Sequence, residues 1–214
     1  MPEGPSFLVR TQGLHGICGF LFLCAQNSRG STVAIACQEV AQPRVFLAYS
    51  VAMKGNPKVI SELNKALREE LTAINQYFLH AEMCENWKYH RLSDQIKKQS
   101  IGEMKHAEVL IERILFLDGT PTMQPLELKV SGTVKGMLEN DLSLELSAVR
   151  QYNDAVQIAT KEGDNGSRDL LVQLLKDEES HVDWLEGQLH QIGELGYERY
   201  LMQQMGGGAE GESK

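Results

Sequence analysis

The stretch IGEMKHAEVL at residues 101–110 places Glu103 three residues before His106, and LLKDEESHVDWL at residues 174–185 places Glu178 three residues before His181. Both stretches have the apolar spacing of helices, and residues three apart lie on the same face of a helix. Each glutamate therefore shares a helix face with its histidine. Whether that face is directed to solvent or to the core decides what kind of helical protein this chain forms.

Four long helices are predicted after residue 55, because apolar residues recur there at helical spacing. The first helix begins at Asn56–Pro57, an N-cap followed by proline at the first helical position. The third begins near residues 131–133, and a short amphipathic segment follows the fourth at residues 197–205. The expected breaks and stops lie at residues 87–90, at Gly119 with Pro121, at residues 163–166 and at Gly193.

The links between the helices predict how they are arranged. Short links join helices one and two and helices three and four, so each pair forms an antiparallel hairpin. The link at residues 120–132 would reach about 43–47 Å when extended, and helices of roughly 25–30 residues measure about 40 Å. The sequence therefore predicts an all-α four-helix bundle with a long crossover between helices two and three, plus a short C-terminal helix.

Charged residues interrupt the apolar seam of every helix near its middle. The interruptions are Glu70 in helix one, Glu103 and His106 in helix two, Asp141 and Glu145 in helix three, and Glu178 and His181 in helix four. The chain distance from the first to the second glutamate is the same in both hairpins. Corresponding glutamates of the two hairpins are also the same number of residues apart along the chain. Glu145 follows Glu70 by this number, and Glu178 follows Glu103 by the same number, which we call the hairpin offset. We therefore expect four glutamates and two histidines to meet at one level inside the bundle.

Such a cluster predicts bound metal. Unpaired buried carboxylates are very costly, whereas two divalent cations balance four carboxylates and neutral imidazoles complete the coordination. Carboxylate and imidazole ligands favour iron or manganese over metals that prefer thiolates. One Glu-x-x-His pattern is a weak signal, but six residues at matched spacing are typical of a two-metal centre. His80, His90 and His190 lack partners in this pattern, and we interpret them as ordinary helix histidines.

The composition excludes other classes of protein. The 214 residues include 29 acidic and 21 basic side chains, for a net charge of −8, and nucleic-acid binding requires a basic surface. No apolar run approaches the length that crosses a bilayer, so neither nucleic acid nor membrane is expected as a partner. Cys18, Cys24, Cys37 and Cys84 form no C-x-x-C pair, which disfavours a disulfide scaffold or zinc finger. Cys84 is interpreted as an unreactive helix residue.

Residues 1–52 differ from the rest and show no sustained helical periodicity. ICGFLFLCA at residues 17–25 has the length of a signal-peptide apolar segment but no clear cleavage site beside it. Three interpretations stay open: an upstream start with Met53 as the true initiator, a targeting segment, or a folded element. We expect a cytoplasmic protein, or an organellar one if this segment is a transit peptide. Residues 53–205 are predicted to form the bundle, and residues 206–214 a disordered tail.

The sequence resembles the bacterioferritins from Met53 to about Gln204. The likeness is carried by MKGNPKVI, LTAINQYFLHAEMCENW, EMKHAEVLIERILFLDG, NDLSLEL and DEESHVDWLE. It implies a ferritin-like bundle that stores and detoxifies iron. Ferrous iron would be oxidised by dioxygen or hydrogen peroxide at a di-iron ferroxidase centre. The ferric product would mineralise in a hollow homo-oligomeric shell, a 24-mer built from two-fold dimers.

The resemblance also implies roles for particular residues. The implied ligands are Glu70 and His106 for one iron, Glu145 and His181 for the other, and Glu103 and Glu178 as bridges. Tyr77 is a candidate electron donor, and a core tyrosine is the alternative. Asp141, one turn before Glu145, is a candidate hydrogen-bond partner for a ligand histidine.

Met104 lies between Glu103 and His106, so it must point off the metal-binding seam towards a flank of the bundle. Its ordinary interpretation is a contact between helices or subunits. The resemblance implies instead that Met104 binds the iron of haem b, with one methionine from each of two subunits related by a two-fold axis. A ferredoxin-type electron donor is a further partner that the resemblance suggests.

Two other functions fit the same bundle. A catalytic di-iron or di-manganese enzyme, such as a manganese catalase or an oxygenase, needs a substrate pocket beside the metals, and large residues fill the flanking seam. A purely structural or haem-carrying bundle has no use for six metal ligands. A storage shell predicts a very large particle, whereas the enzyme predicts a dimer or tetramer.

Overall fold

The computed structural model describes residues 25–26, 32–33 and 53–206. A short antiparallel pair, β1 (Ala25–Gln26) with β2 (Thr32–Val33), lies in an N-terminal unit, and the helices form a second unit. Residues 1–52 were interpreted as following an upstream start, as a targeting segment or as a folded element, and residues 206–214 as a disordered tail. Most of these residues lie outside the described ranges, so these interpretations stay predictions. Within the described part of the chain, no helix has the length and apolar character of a membrane span.

The second unit is a four-helix bundle with a short C-terminal helix, as predicted. Its helices are α1 (Pro57–Asn86), α2 (His90–Phe116), α3 (Val134–Lys161), α4 (Asn165–Leu195) and α5 (Tyr197–Gln204). Side chains cap three of the helix starts and satisfy backbone N–H groups there. Asn56 accepts a hydrogen bond from the Lys58 N–H, and Thr133 accepts one from the Gly136 N–H. Asp164 caps α4 in the same way.

The end of α4 was predicted wrongly. Gly193 lies inside the helix, which continues to Leu195 and ends at Gly196. A glycine inside a helix costs only about 1 kcal/mol relative to alanine, and the buried Ile192 holds this turn against the bundle. Gly196 has a φ of +80°, a left-handed conformation that glycine adopts without strain, so it redirects the chain into α5.

The link between α2 and α3 crosses the length of the bundle, which confirms the predicted crossover. It runs alongside α1 in the same direction, held by polar side chains of that helix. Three backbone N–H groups of the link donate to α1: Thr122 to Asn64 (2.7 Å), Leu126 to Thr72 (2.8 Å) and Lys129 to Gln76 (2.8 Å). Because α3 starts where this link ends, α2 and α3 point in the same direction.

Two apolar clusters fill the bundle, one on each side of its middle. The first surrounds Leu63, Leu67 and Leu110, and the second surrounds Tyr77, Leu138 and Leu185. Most of the apolar residues that recur at helical spacing along the four helices are buried, and Ile74, Val149, Val156 and Leu189 among them are partly buried. The charged interruptions of the seams therefore lie between two apolar layers.

Candidate metal centre

The structure brings the six predicted ligands together between the two apolar clusters. Each of the four helices contributes from its middle, as the matched spacings within and between the hairpins predicted. Five of the six residues are buried and His181 is partly buried. Their exposed fractions are 2% for Glu70, 0% for Glu103, 9% for His106, 1% for Glu145 and 1% for Glu178.

The ligand atoms form two groups, and in each group they lie within 4.8 Å of one another. The first group contains Glu70 and His106, and the second contains Glu145 and His181. Both groups share Glu103 and Glu178. This is the arrangement of two adjacent cation sites with two common carboxylates.

The shared glutamates each present one oxygen to each histidine. The Nδ1 atom of His106 lies 2.8 Å from Glu103 Oε2 and 3.1 Å from Glu178 Oε1. The Nδ1 atom of His181 lies 2.9 Å from Glu103 Oε1 and 3.4 Å from Glu178 Oε2. Both imidazoles therefore direct Nδ1 inwards, and each shared carboxylate spans the gap between them.

Several of these inward atoms have no hydrogen-bond partner among the described residues. They are both carboxylate oxygens of Glu103, Oε1 of Glu178, and the Nδ1 atoms of His106 and His181. Their short mutual distances are ion-pair contacts that lack the alignment of hydrogen bonds. Buried polar atoms are rarely left unsatisfied, and a pair of divalent cations would satisfy all of them. The donor set, oxygen with imidazole nitrogen, fits iron or manganese.

The protein alone compensates this buried charge by shifting pKa values. Burial, and then the charge of Glu178, raises the pKa of Glu70 and of Glu145 well above its ordinary value. Burial disfavours a charged imidazole, but the carboxylates of Glu103 and Glu178 outweigh it and raise the pKa of His181 to about 10. The same carboxylates raise the pKa of His106. Without metal, both imidazoles are therefore protonated at neutral pH.

Two tyrosines hydrogen-bond to the outer glutamates of the centre. The hydroxyl of Tyr77 donates to Glu145, and the hydroxyl of Tyr152 donates to Glu70. Both tyrosines are fully buried. Only Tyr77 was identified as a candidate from the sequence, although Tyr152 follows it by the hairpin offset. That spacing is the repeat of the ligands themselves and identifies Tyr152 as the counterpart of Tyr77.

The expected role of Asp141 was wrong. Asp141 does not contact a ligand histidine in the structure. It accepts a hydrogen bond from Gln76 (2.8 Å), and its carboxylate lies 2.9 Å from Nδ1 of His80. His80 is therefore a fully buried histidine with an acidic partner. A surface histidine, His90, has one as well, because its Nδ1 lies 3.0 Å from Glu85.

A family model and several known proteins match this chain, and they agree with the resemblance seen in the sequence. The family model of the ferritin-like domain matches residues 60–195. A bacterioferritin of Brucella melitensis biotype 1 is 46% identical over 149 residues, which are 69% of this chain and 92% of that protein. A bacterioferritin of Mycobacterium leprae is 41% identical over 71% of this chain and 96% of its own length. A bacterial ferritin of Synechocystis sp. is 42% identical over 72% of this chain and 99% of its own length.

The chain belongs to the bacterioferritin family. Its membership confirms the resemblance seen in the sequence and supports iron storage as its general role.

Met104 points away from the metal centre in this bacterioferritin-family chain, as helix geometry predicted. Its side chain lies on α2 with 46% of its surface exposed, and its neighbour Ile101 is 50% exposed. An exposed thioether on an apolar face is available to a ligand or to a second subunit.

The two ligand histidines, His106 and His181, have different surroundings on the side that faces away from the metal centre. His106 directs its outer nitrogen, Nε2, towards Asp177 at 3.5 Å. His181 instead borders a cavity of about 240 Å³ between α2 and α4, which Gln99, Gly102 and Trp184 also line. Large residues fill the seam on both sides of the centre, as predicted, but Gly102 and polar side chains leave space on the outer side of His181.

We predict that metal binding releases at least two protons per chain at pH 7. Each imidazole must lose its Nδ1 proton to bind a cation, and the raised pKa values of both histidines keep them protonated without metal. Because these pKa values lie above 7, proton competition grows as pH falls and weakens as pH rises towards 10. Anaerobic titration with ferrous iron in weak buffer, with base added to hold pH, counts the protons.

The matched control is Glu108→Ala, which removes an exposed glutamate of α2 and leaves the proton count unchanged. Proton release clearly below two per chain, or an iron affinity that does not weaken between pH 7 and pH 5.5, contradicts the prediction.

Proposed function

We propose that this chain stores and detoxifies iron by oxidising ferrous ions at the six-residue centre and enclosing the ferric product in a 24-mer shell of two-fold dimers. The observation that carries the proposal is the pair of four-residue groups that share Glu103 and Glu178. Two ferrous ions held side by side are placed to reduce one oxidant molecule together. Family membership supports the storage role.

The reaction balances with either oxidant. Two ferrous ions each give up one electron. Dioxygen takes both electrons and two protons to form hydrogen peroxide, or hydrogen peroxide takes both electrons and two protons to form two water molecules.

The side chains have distinct parts in this step. Glu103 and Glu178 each bring one oxygen to each half of the centre, so they hold the two ions close together. Glu70 and Glu145 each serve one half, and the tyrosine hydroxyls that donate to them fix their orientation. The apolar clusters on both sides exclude bulk water, which strengthens every charge interaction inside.

A catalytic di-iron or di-manganese enzyme is the second candidate, and the cavity beside His181 favours it. The two functions give different products. A storage protein accumulates many ferric ions in one large particle, and an enzyme turns over substrate as a dimer or tetramer. Loading with ferrous iron without oxygen and then admitting air, while absorbance and particle size are followed together, distinguishes them.

We predict that Glu103→Ala and His181→Ala each slow initial iron oxidation more than the loss of a residue that only hydrogen-bonds to a metal ligand would. Loss of such a residue costs about 10–100-fold. The effect should be larger here, because Glu103 serves both halves of the centre and His181 serves one. Packing rests on apolar residues along all four helices, so the shell should assemble in both variants. Stopped-flow absorbance and size-exclusion chromatography measure the two properties.

Glu108→Ala serves as the control here too, because it makes the same change on the exposed side of α2. Oxidation at the parental rate in either ligand variant refutes the assignment of the centre. A parent that oxidises iron but elutes as a dimer favours the enzyme.

Tyr77 is the better placed of the two tyrosines to give an electron to the oxidant. The carboxylate of Asp141 lies near Tyr77 and, after burial and Glu145, raises the pKa of its hydroxyl. A negative charge also favours loss of an electron. At the hairpin offset, the counterparts of His80 and Asp141 are Ala155 and Ala66, so Tyr152 has no such pair beside it.

We predict that Tyr77→Phe removes a transient tyrosyl radical and that Tyr152→Phe retains it. Tyr77 would pass one electron to dioxygen or peroxide while its hydroxyl proton moves to Glu145, its hydrogen-bond acceptor. Electron paramagnetic resonance of samples frozen soon after mixing with oxidant detects the radical. Equal loss in both variants, or a full signal in Tyr77→Phe, shows that Tyr77 is not the donor.

Met104 fits a role as haem ligand through its exposure. A two-fold axis places the same residue on both sides of an interface, so one methionine per chain supplies both axial ligands of a shared haem, and thioether is an established haem ligand. Release of stored iron needs one electron for each ferric ion. A ferredoxin-type protein is the class of donor we propose for it.

We predict that Met104→Leu abolishes the Soret absorbance of protein purified with haem available. Leucine keeps the apolar volume and removes the sulfur, so assembly should persist. The matched control is Met123→Leu, since Met123 is another exposed methionine, 66% accessible, on the crossover link. A full Soret band in Met104→Leu, or no band in the parent, contradicts haem binding at this residue.

A further inference from the structure

The cavity beside His181 breaks the internal repeat of the bundle. Most of the centre repeats at the hairpin offset: Glu70 with Glu145, Tyr77 with Tyr152, Glu103 with Glu178, and His106 with His181. At the same offset, Asp177 corresponds to Gly102, and Leu174 corresponds to Gln99. One half therefore has a carboxylate and a leucine where the other half has open space and an amide.

Gln99 lines this cavity, and one atom of its amide has no hydrogen-bond partner. Only 6% of Gln99 is exposed, and its carbonyl oxygen Oε1 is buried without a partner among the described residues. Burial of such an oxygen costs stability, which the leucine of the other half avoids. A ligand that donates a hydrogen bond to Oε1 would account for the glutamine.

The cavity has no acidic lining residue, although acidic side chains outnumber basic ones by 29 to 21 in the chain. Lys98 lines it and makes no ion pair with any described residue. The adjacent Lys97 differs, because its Nζ lies 2.8 Å from Glu82. The cavity therefore offers an uncompensated positive charge, which favours an anion.

His181 adds a directed donor. Its Nδ1 faces the shared glutamates, so Nε2 is the nitrogen that remains for an outside partner. A histidine that binds metal through one nitrogen donates the N–H of the other, usually to a carboxylate, carbonyl or water. Asp177 occupies that position for His106 at 3.5 Å. Gly102 supplies no carboxylate for His181.

We propose that this cavity binds inorganic phosphate, which takes the place of the missing carboxylate beside His181. Phosphate accepts hydrogen bonds from His181 Nε2 and from the Lys98 ammonium group. Its monohydrogen form also carries one O–H, which donates to Oε1 of Gln99. The role of His181 as a metal ligand rests on the proposed function, but the lysine, the amide and the cavity do not depend on it. The bound anion would lie on one side of the iron site only.

Isothermal titration of the metal-free, full-length assembly with phosphate tests the proposal, with sulfate as the comparison anion. We expect one phosphate site per chain. Lys98→Ala should weaken phosphate binding about tenfold or more, and Lys97→Ala should change it less than about twofold. Gly102→Asp should abolish binding, because it restores the carboxylate of the other half. A Cβ at Gly102 meets no atom within 4 Å, so this variant should fold.

Sulfate separates the contribution of Gln99 from that of charge. Sulfate at neutral pH has no O–H to donate, so the parent should prefer phosphate, and Gln99→Met should lose that preference. Circular dichroism and size-exclusion chromatography confirm that each variant folds and assembles. Equal weakening by Lys97→Ala and Lys98→Ala, unchanged binding in Gly102→Asp, or no saturable phosphate binding in the parent overturns the proposal.

The iron-free readout keeps this inference separate from the proposed function. If the parent protein binds phosphate as predicted but does not oxidise iron, the proposed storage function is refuted and the anion site stands. If the parent protein oxidises iron but shows no saturable phosphate binding, the storage function stands and the anion site is refuted.

Discussion

Four glutamate side chains buried at one level of the bundle are the constraint on which the rest of this structure depends. None of the four is more than 2% exposed, and removing an ion from water costs several kcal/mol even after the protein relaxes. The metal-free chain offsets this cost with two protonated imidazoles and with raised pKa values at Glu70 and Glu145. The fold is thus arranged around a cluster that positive charge must complete.

The length of the helices follows from this constraint. The polar layer contributes little apolar burial, so the stabilisation must come from the layers on both sides of it. Each cluster contains several fully buried leucine or aromatic side chains, and each such side chain contributes about 1.5–3 kcal/mol. Short helices would leave too few of these layers, whereas helices of 27 to 31 residues provide one cluster on each side.

The sequence predicted the helices, the crossover and all six inward residues, because each rests on a regular spacing. Breaks in a 3.6-residue seam identify inward charges, and equal distances along two hairpins identify residues at one level. The end of α4 was less predictable, since Gly193 and Gly196 are both plausible stops and the deciding factor is the burial of Ile192. Hydrogen-bond partners were the least predictable feature. Asp141 has several polar side chains within one helical turn, and only the three-dimensional arrangement selects His80.

The internal repeat explains why the centre is symmetric, and the departures from it explain how the two halves can act differently. Duplicated spacing places equal ligands around both cation positions, so the ligand sets alone give neither ion a distinct role. Asymmetry enters through residues that the repeat does not preserve. Asp141 and His80 lie beside Tyr77 where the other half has alanines, and Gly102 and Gln99 lie beside His181 where the other half has Asp177 and Leu174. A carboxylate outside the ligand set therefore lies next to one tyrosine only, and another lies outside one histidine only. Since Coulomb interactions inside a bundle are weakly screened, these few substitutions are enough to make two positions with matching ligands unequal in charge and in access.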